Sequence, residues 1–207
     1  MILRHHAQRV RRLLLFVSLF YLTVYIPFVF AIYFPQWHRL NCRRNVRCDC
    51  IGEKVSSVGI RELNAFFLHR GELEFYRWTD KEKQHLIDVR EIADRFFVAA
   101  VFAAAGVILL FDRKRIAVYI WINIAIILSF LAVLPFFAYF WRHVFHPLLF
   151  ENRMWLNTRH DFSFYLMPRA YFKATTVFLI AASCIINFCI WLCIRLDLRK
   201  RQSEKAE

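Results

Sequence analysis

Two histidines stand at the edges of apolar runs. His85, in KEKQHLIDV, precedes one run, and His146, in RHVFHPLLF, follows the next. If both runs cross a membrane and a short turn joins them, the two imidazoles reach the same membrane face. Imidazole titrates near neutrality, so it can take a proton and return it within one reaction. Two at one interface predict acid–base chemistry on a lipid-borne substrate.

The residues around them suggest how they are held. Thr79-Asp80-Lys81-Glu82 reads as a capping box that opens a helix. That helix places Glu82, His85 and Asp88 at successive i+3 spacings on one face, where the carboxylates can orient or polarise the imidazole. Pro147 disfavours helix at His146 and should leave it at a helix terminus. Arg153 and Trp155 follow closely. The planar guanidinium of Arg153 offers donors to a carbonyl or an oxyanion, and also suits a plain headgroup anchor.

The elements that must position these residues are membrane spans. The chain has 207 residues, 59% hydrophobic and 18% aromatic, with only 4 glycines. Uncharged apolar runs cover 13–34, 96–111, 116–140 and 174–194. About 20 apolar residues cross a bilayer as a helix, the form that satisfies its own backbone polar groups in hydrocarbon. The second run is short and reaches full length if the helix before it feeds into it. The fold class is therefore an all-α polytopic membrane protein, with four transmembrane helices and a small extracytoplasmic α/β cap. The first run follows Arg4, Arg9, Arg11 and Arg12. It is too long for a signal-peptide core and is read as a retained anchor.

Lys and Arg fix the orientation. Residues 1–12 carry four, the turn 112–115 (DRKR) three and the tail 195–207 five. The loops 35–95 and 141–173 are much longer for their 17 basic residues. Both termini and the DRKR turn are thus assigned to the cytoplasm. This divides the chain into 1–34 (N-terminus and first span), 35–95 (extracytoplasmic cap), 96–140 (second and third spans), 141–173 (aromatic extracytoplasmic loop) and 174–207 (fourth span and basic tail). The net charge of +13 sets topology and meets anionic headgroups. No nucleic-acid motif accompanies it, so nucleic acid is not an expected partner.

The cap has mixed charge and three of the four glycines, and 60–68 suits a strand or a short helix. The loop 141–173 is rich in Trp, Phe and Tyr, which favour the headgroup level. It serves as an aromatic belt, a lipid-substrate groove, or both. Cys184, Cys189 and Cys193 lie within the fourth span as small apolar residues. Cys42, Cys48 and Cys50 lie outside, and in an oxidising compartment Cys42 pairs with Cys48 or Cys50. A C-x5-C-x-C zinc site would lack a fourth ligand at finger-like spacing, so no metal is assigned. His5, His6, His38, His69, His143 and His160 take the usual role of solvated or interfacial side chains.

The segments LEFYRWTDKEKQHLIDVR (73–90) and FHPLLFENRMW (145–155) together resemble the lipoprotein intramolecular transacylases, Lit. The family pattern of acid, His and Asp-Val before the second span matches Glu82, His85, Asp88 and Val89. Its Phe-His, apolar run and Trp after the third span match Phe145, His146, Leu148, Leu149, Phe150 and Trp155. LMPRAYF (166–172) is similar to the stretch before the family's last span. The cysteine-bearing insert at 42–50 and Leu86, where Met is common, depart from the pattern.

The resemblance implies an activity without a cofactor. Such enzymes move the sn-2 acyl chain of a diacylglyceryl lipoprotein onto the α-amine of its own N-terminal cysteine, giving the lyso form. Implied partners are diacylglyceryl lipoproteins and membrane lipid, with the protein a monomer in a bacterial plasma membrane and its site at the outer leaflet. No G-x-S-x-G occurs, which favours direct transfer over an acyl-enzyme. Three other classes compete. A four-helix thiol oxidase needs cysteines in both outer loops, and 141–173 has none. A haem bundle needs histidines inside the spans, and the four apolar runs lack them. A non-enzymatic membrane adaptor would use the aromatic loop as a docking surface.

Overall fold

A computed structural model describes residues 2–203, with side chains from 5 to 202. Arg4 and Lys205, counted among the topology signals, lie outside the described side chains. The helices are α1 (Ile2–Tyr33), α2 (Pro35–Arg43), α3 (Val46–Ile51), α4 (Glu53–Phe67), α5 (Asp80–Leu109), α6 (Arg113–Ser129), α7 (Phe137–Phe140), α8 (His146–Leu149), α9 (Ser163–Leu166) and α10 (Arg169–Ser203). Four stretches are long and apolar enough to cross a membrane: His5–Tyr33, Asp80–Leu109, Arg113–Leu149 and Arg169–Gln202. The second owes its length to the capped helix, which continues from Asp80 without a break into the short apolar run.

The third span changes character along its length. α6 starts at Asp112, whose side chain accepts from the Arg115 N–H. A 3₁₀ segment (Phe130–Phe136) then holds Pro135, where the missing N–H and the ring disrupt α-helical pairing. After α7 comes a π-helical stretch, Trp141–Phe145, leading directly into α8.

The chain forms two compact units. One comprises 1–27, 96–131 and 179–207. Its core is aliphatic, with Leu15, Leu19, Ile116, Ile120 and Ile194 buried together. Within it, the Asn123 Nδ2 donates to Asn187 Oδ1 at 3.4 Å, and both side chains are fully buried. The other comprises 28–95 and 132–178.

This second unit corrects the expected α/β cap. No strand occurs among the described residues, and the cap consists of α2, α3 and α4. Ile60, Leu63, Phe66 and Phe67 of α4 are all buried, a spacing of three and four that suits one face of a helix rather than alternate faces of a strand. Gly52 joins α3 to α4 at φ +79°, a conformation that L side chains rarely adopt. Gly59 lets Phe162 approach α4: a Cβ there would lie 2.4 Å from the Phe162 ring. Of the partners left open for Cys42, the structure pairs it with Cys48, leaving Cys50 exposed as a free thiol.

Candidate active site

His85 and His146 meet in the second unit, with ring centroids 6.2 Å apart. Phe150 lies against both, at 4.8 Å from His85 and 5.8 Å from His146. Trp155 lies 4.5 Å from His146 on one side and Trp141 4.7 Å on another. The site is thus two imidazoles in an aromatic box. Apolar surroundings strengthen any charge that forms between the rings.

His146 is buried, and its Nδ1 lies 2.7 Å from the Trp141 carbonyl. A carbonyl only accepts, so Nδ1 carries the hydrogen. The neutral ring therefore presents Nε2 as a lone pair, and Nε2 becomes a donor only after it is protonated. His146 keeps helical backbone angles despite Pro147, but as the first residue of α8 it does stand at a helix terminus, as expected. Its φ and ψ are −68° and −46°, and Pro147 occupies the first turn of α8. Proline is tolerated there because it lacks an N–H that the first turn could not pair anyway. The π stretch before it carries the chain into that new turn.

His85 has the complementary property. Its Nδ1 is buried without a hydrogen-bond partner. An unpaired buried polar atom is costly and calls for an explanation. Three residues on, Asp88 accepts from Gln84 Nε2 at 3.2 Å and from Asn152 Nδ2 at 2.8 Å. Asn152 also accepts from the Met154 N–H through its side chain and from Trp155 Nε1 through its carbonyl. This asparagine links the helix bearing His85 to the turn bearing Trp155. Sequence reasoning missed it, although an Asn that turns back on the N–H two residues ahead is a local signal.

Glu82 is only 2% exposed. It completes the capping box, accepting from the Thr79 N–H at 3.0 Å and the Thr79 hydroxyl at 2.9 Å. Its other oxygen accepts from the Ser163 N–H at 2.6 Å and from the Ser163 hydroxyl. The carboxylate therefore ties the start of α5 to α9. Lys81 makes a parallel tie, with its Nζ 2.6 Å from Asp161 Oδ2 and 2.9 Å from the Leu156 carbonyl. Burial alone would push the Asp161 carboxyl up, but Lys81 and the Thr158 N–H and hydroxyl outweigh it and hold the group below its ordinary range. Lys81, Asp161 and Ser163 were not singled out from the sequence, because their partners lie far along the chain.

Arg153 is exposed, and its carbonyl accepts from the Leu156 N–H. Among the described residues its guanidinium makes no hydrogen bond or ion pair. His38 overturns its expected interfacial role. It is 4% exposed and stacks on Tyr171, whose hydroxyl lies 3.1 Å from His38 Nδ1. Burial pushes its pKa down to about 4, against a weak opposing effect of the Ile32 carbonyl.

No protein-family model matches this chain, and no curated protein sequence does. Among solved structures, it is similar to the membrane-integral lipoprotein intramolecular transacylase Lit from Bacillus cereus. The two are 14% identical, with 96% of this chain and 99% of that chain covered at a TM-score of 0.77. A structure of the same protein carrying a histidine-to-alanine mutation covers 98% of both chains, at 14% identity and a TM-score of 0.74. The arrangement of four apolar helices with a helical cap is therefore the fold seen in Lit.

Proposed function

We propose that this chain is a bacterial membrane acyltransferase that converts a diacylglyceryl lipoprotein to its lyso form. It moves the sn-2 acyl chain to the α-amine of the lipoprotein's N-terminal cysteine, at the outer leaflet. The observation that carries this reading is the paired imidazoles: His146 with its tautomer set by the Trp141 carbonyl, and His85 with a buried, unpartnered Nδ1. The likeness of fold to Lit and the matching segments around both histidines support it.

The chemistry balances without a cofactor. The amine nitrogen attacks the ester carbonyl carbon, and His85 takes the proton that the nitrogen sheds. The resulting imidazolium returns it to the glyceryl oxygen as the ester C–O bond breaks. One amine and one ester become one amide and one alcohol. The attacking amine titrates near 8, within reach of an imidazole. General acid–base help of this kind contributes roughly 10²–10⁴-fold. Both reacting groups belong to one molecule, so holding it folded lowers the barrier further. His146 supplies a donor to the oxyanion when its Nε2 carries a proton taken from solvent before the attack and kept through it. Glu82 and Asp88 act as positioning residues, the first by fixing the start of α5 and the second through Asn152. Trp155 shapes the wall beside His146, and Arg153 is the further candidate donor. The Cys42–Cys48 bond staples the cap and takes no part in the transfer.

The test is mass spectrometry of a model lipoprotein's N-terminal peptide, made in cells that lack other N-acylation. Cells with the wild-type chain should yield the lyso form. His85→Ala and His146→Ala should each lower it by roughly 10²-fold or more, while the proteins still insert and elute as single species. Near-normal product from either folded variant would remove that histidine from the mechanism.

A further inference from the structure

Behind the aromatic wall of the histidine site lies a cleft of ≈ 410 Å³ in the second unit. Arg47, Arg142 and Arg169 line it, and none of its lining residues is acidic. Trp141, Trp155 and Phe172 form its apolar side. Three guanidiniums beside an aromatic surface make a two-toned cavity, suited to a ligand with an anionic head and an apolar body.

From this geometry we infer a binding site for the phosphate headgroup of an anionic membrane phospholipid. Two observations favour a lipid over a soluble anion or an acidic peptide. Arg142 comes just after the apolar run 116–140, and Arg169 just before the run 174–194, so both sit at the level of the headgroups. The aromatic side is made by residues of those same two helical stretches, Trp141 and Phe172, whose rings lie 4.5 Å apart. A phosphate held by the arginines leaves its glycerol and acyl portions against apolar surface. Guanidinium is the side chain best matched to phosphate, through parallel N–H donors. Arg47 is already preorganised, lying over the Phe164 ring at 4.0 Å.

The cleft shares a wall with the catalytic site. Trp155 lines it and also packs on His146. A bound lipid therefore braces the ring that braces the histidine. The site goes beyond the transfer reaction, and its test reads lipid binding, so its failure and the failure of the transacylase reading are separate results.

Full-length protein is reconstituted in phosphatidylcholine nanodiscs containing a small fraction of phosphatidylglycerol with brominated acyl chains, and tryptophan quenching is recorded. Brominated phosphatidylcholine is the control. The wild type should be quenched at a far lower fraction of brominated phosphatidylglycerol than of the control. Each arginine near an anionic surface contributes roughly fivefold, so Arg142→Gln with Arg169→Gln should weaken the preference roughly thirtyfold. Arg47→Gln, at an exposed position, should cost roughly fivefold and serves as the second variant if the pair misfolds. Equal quenching by both lipids in the wild type overturns the proposal, as does a preference unchanged in the folded variants. Excess glycerol 3-phosphate separates the sources: relief of quenching supports a site that holds phosphate alone, and persistence supports one that needs the whole lipid. Relief by an acidic peptide but not by glycerol 3-phosphate overturns the proposal in favour of a peptide site.

Discussion

The two compact units are held by different forces. In the unit of 1–27, 96–131 and 179–207, aliphatic side chains carry the core, and a long Asn123–Asn187 hydrogen bond is its one fully buried side-chain pair among the described residues. In the unit of 28–95 and 132–178, buried carboxylates join segments about eighty residues apart, and a disulfide closes the cap. The difference separates two tasks. A span needs only to be apolar and of the right length. A site needs two imidazoles held at a fixed separation, and that calls for directional bonds with specific partners.

Glu82 is where the comparison breaks most sharply. Glu82→Ala strands the buried Ser163 N–H and the half-buried Thr79 N–H, so it should cost about 3 kcal/mol. Thermal unfolding in detergent measures this, and Glu82→Gln, which keeps one acceptor, should lose less. A Glu82→Ala protein as stable as wild type would show that the polar tie is ornamental.

Acid should act on the second unit through His38. Its folded pKa of about 4 lies below the 6.5 of an unfolded chain. Between those values the unfolded state binds more protons, so stability should rise with pH through the window and level off above it. Asp161 acts at lower pH. Its stabilisation is present above the ordinary carboxylate value and is lost as pH falls through its lowered one. Melting midpoints across a pH series should show the first slope, and His38→Phe should make it shallower, since His38 is one of several histidines in this unit. An unchanged slope in that variant would move its origin elsewhere.

Reducing or replacing the Cys42–Cys48 bond frees a short loop with a sequence separation of 6. Loop-closure entropy then predicts a loss of about 2 kcal/mol. Lyso-form product should persist at moderate temperature, and its complete loss in a folded Ser variant would give the cysteines a chemical role. The smallest effect belongs to the spans. Asn123→Leu should cost about 0.6 kcal/mol, the average for hydrogen bonds between membrane helices. A loss as large as that of Glu82→Ala would erase the contrast between the units.

How much of this was readable in the sequence follows the same division. The four spans are visible because hydropathy adds up over neighbouring residues. The capping box at Thr79 and Glu82 is visible because both its bonds close within one turn. The tie from Glu82 to Ser163 is not, since nothing near residue 82 specifies residue 163. The cap reads as mixed α/β from sequence because a short apolar run suits either form until its neighbours choose a face. His38 looked interfacial because the Tyr171 that covers it lies 133 positions away. Both site histidines stood out by their place at the span ends, whereas Asn152, which joins their surroundings, did not.

The π stretch at Trp141–Phe145 acts as a gauge of chain length. A π turn closes its hydrogen bonds one residue later than an α turn. It thus stores one surplus residue in the third span, immediately before His146. Each residue of an α-helix turns about 100° around the axis. Were that surplus removed and the stretch regularised to α, every side chain beyond it would swing by about that angle. Relatives that differ in length here are thus constrained as a group. An insertion or deletion between Pro135 and His146 is compatible with the paired imidazoles only if a compensating bulge restores the count.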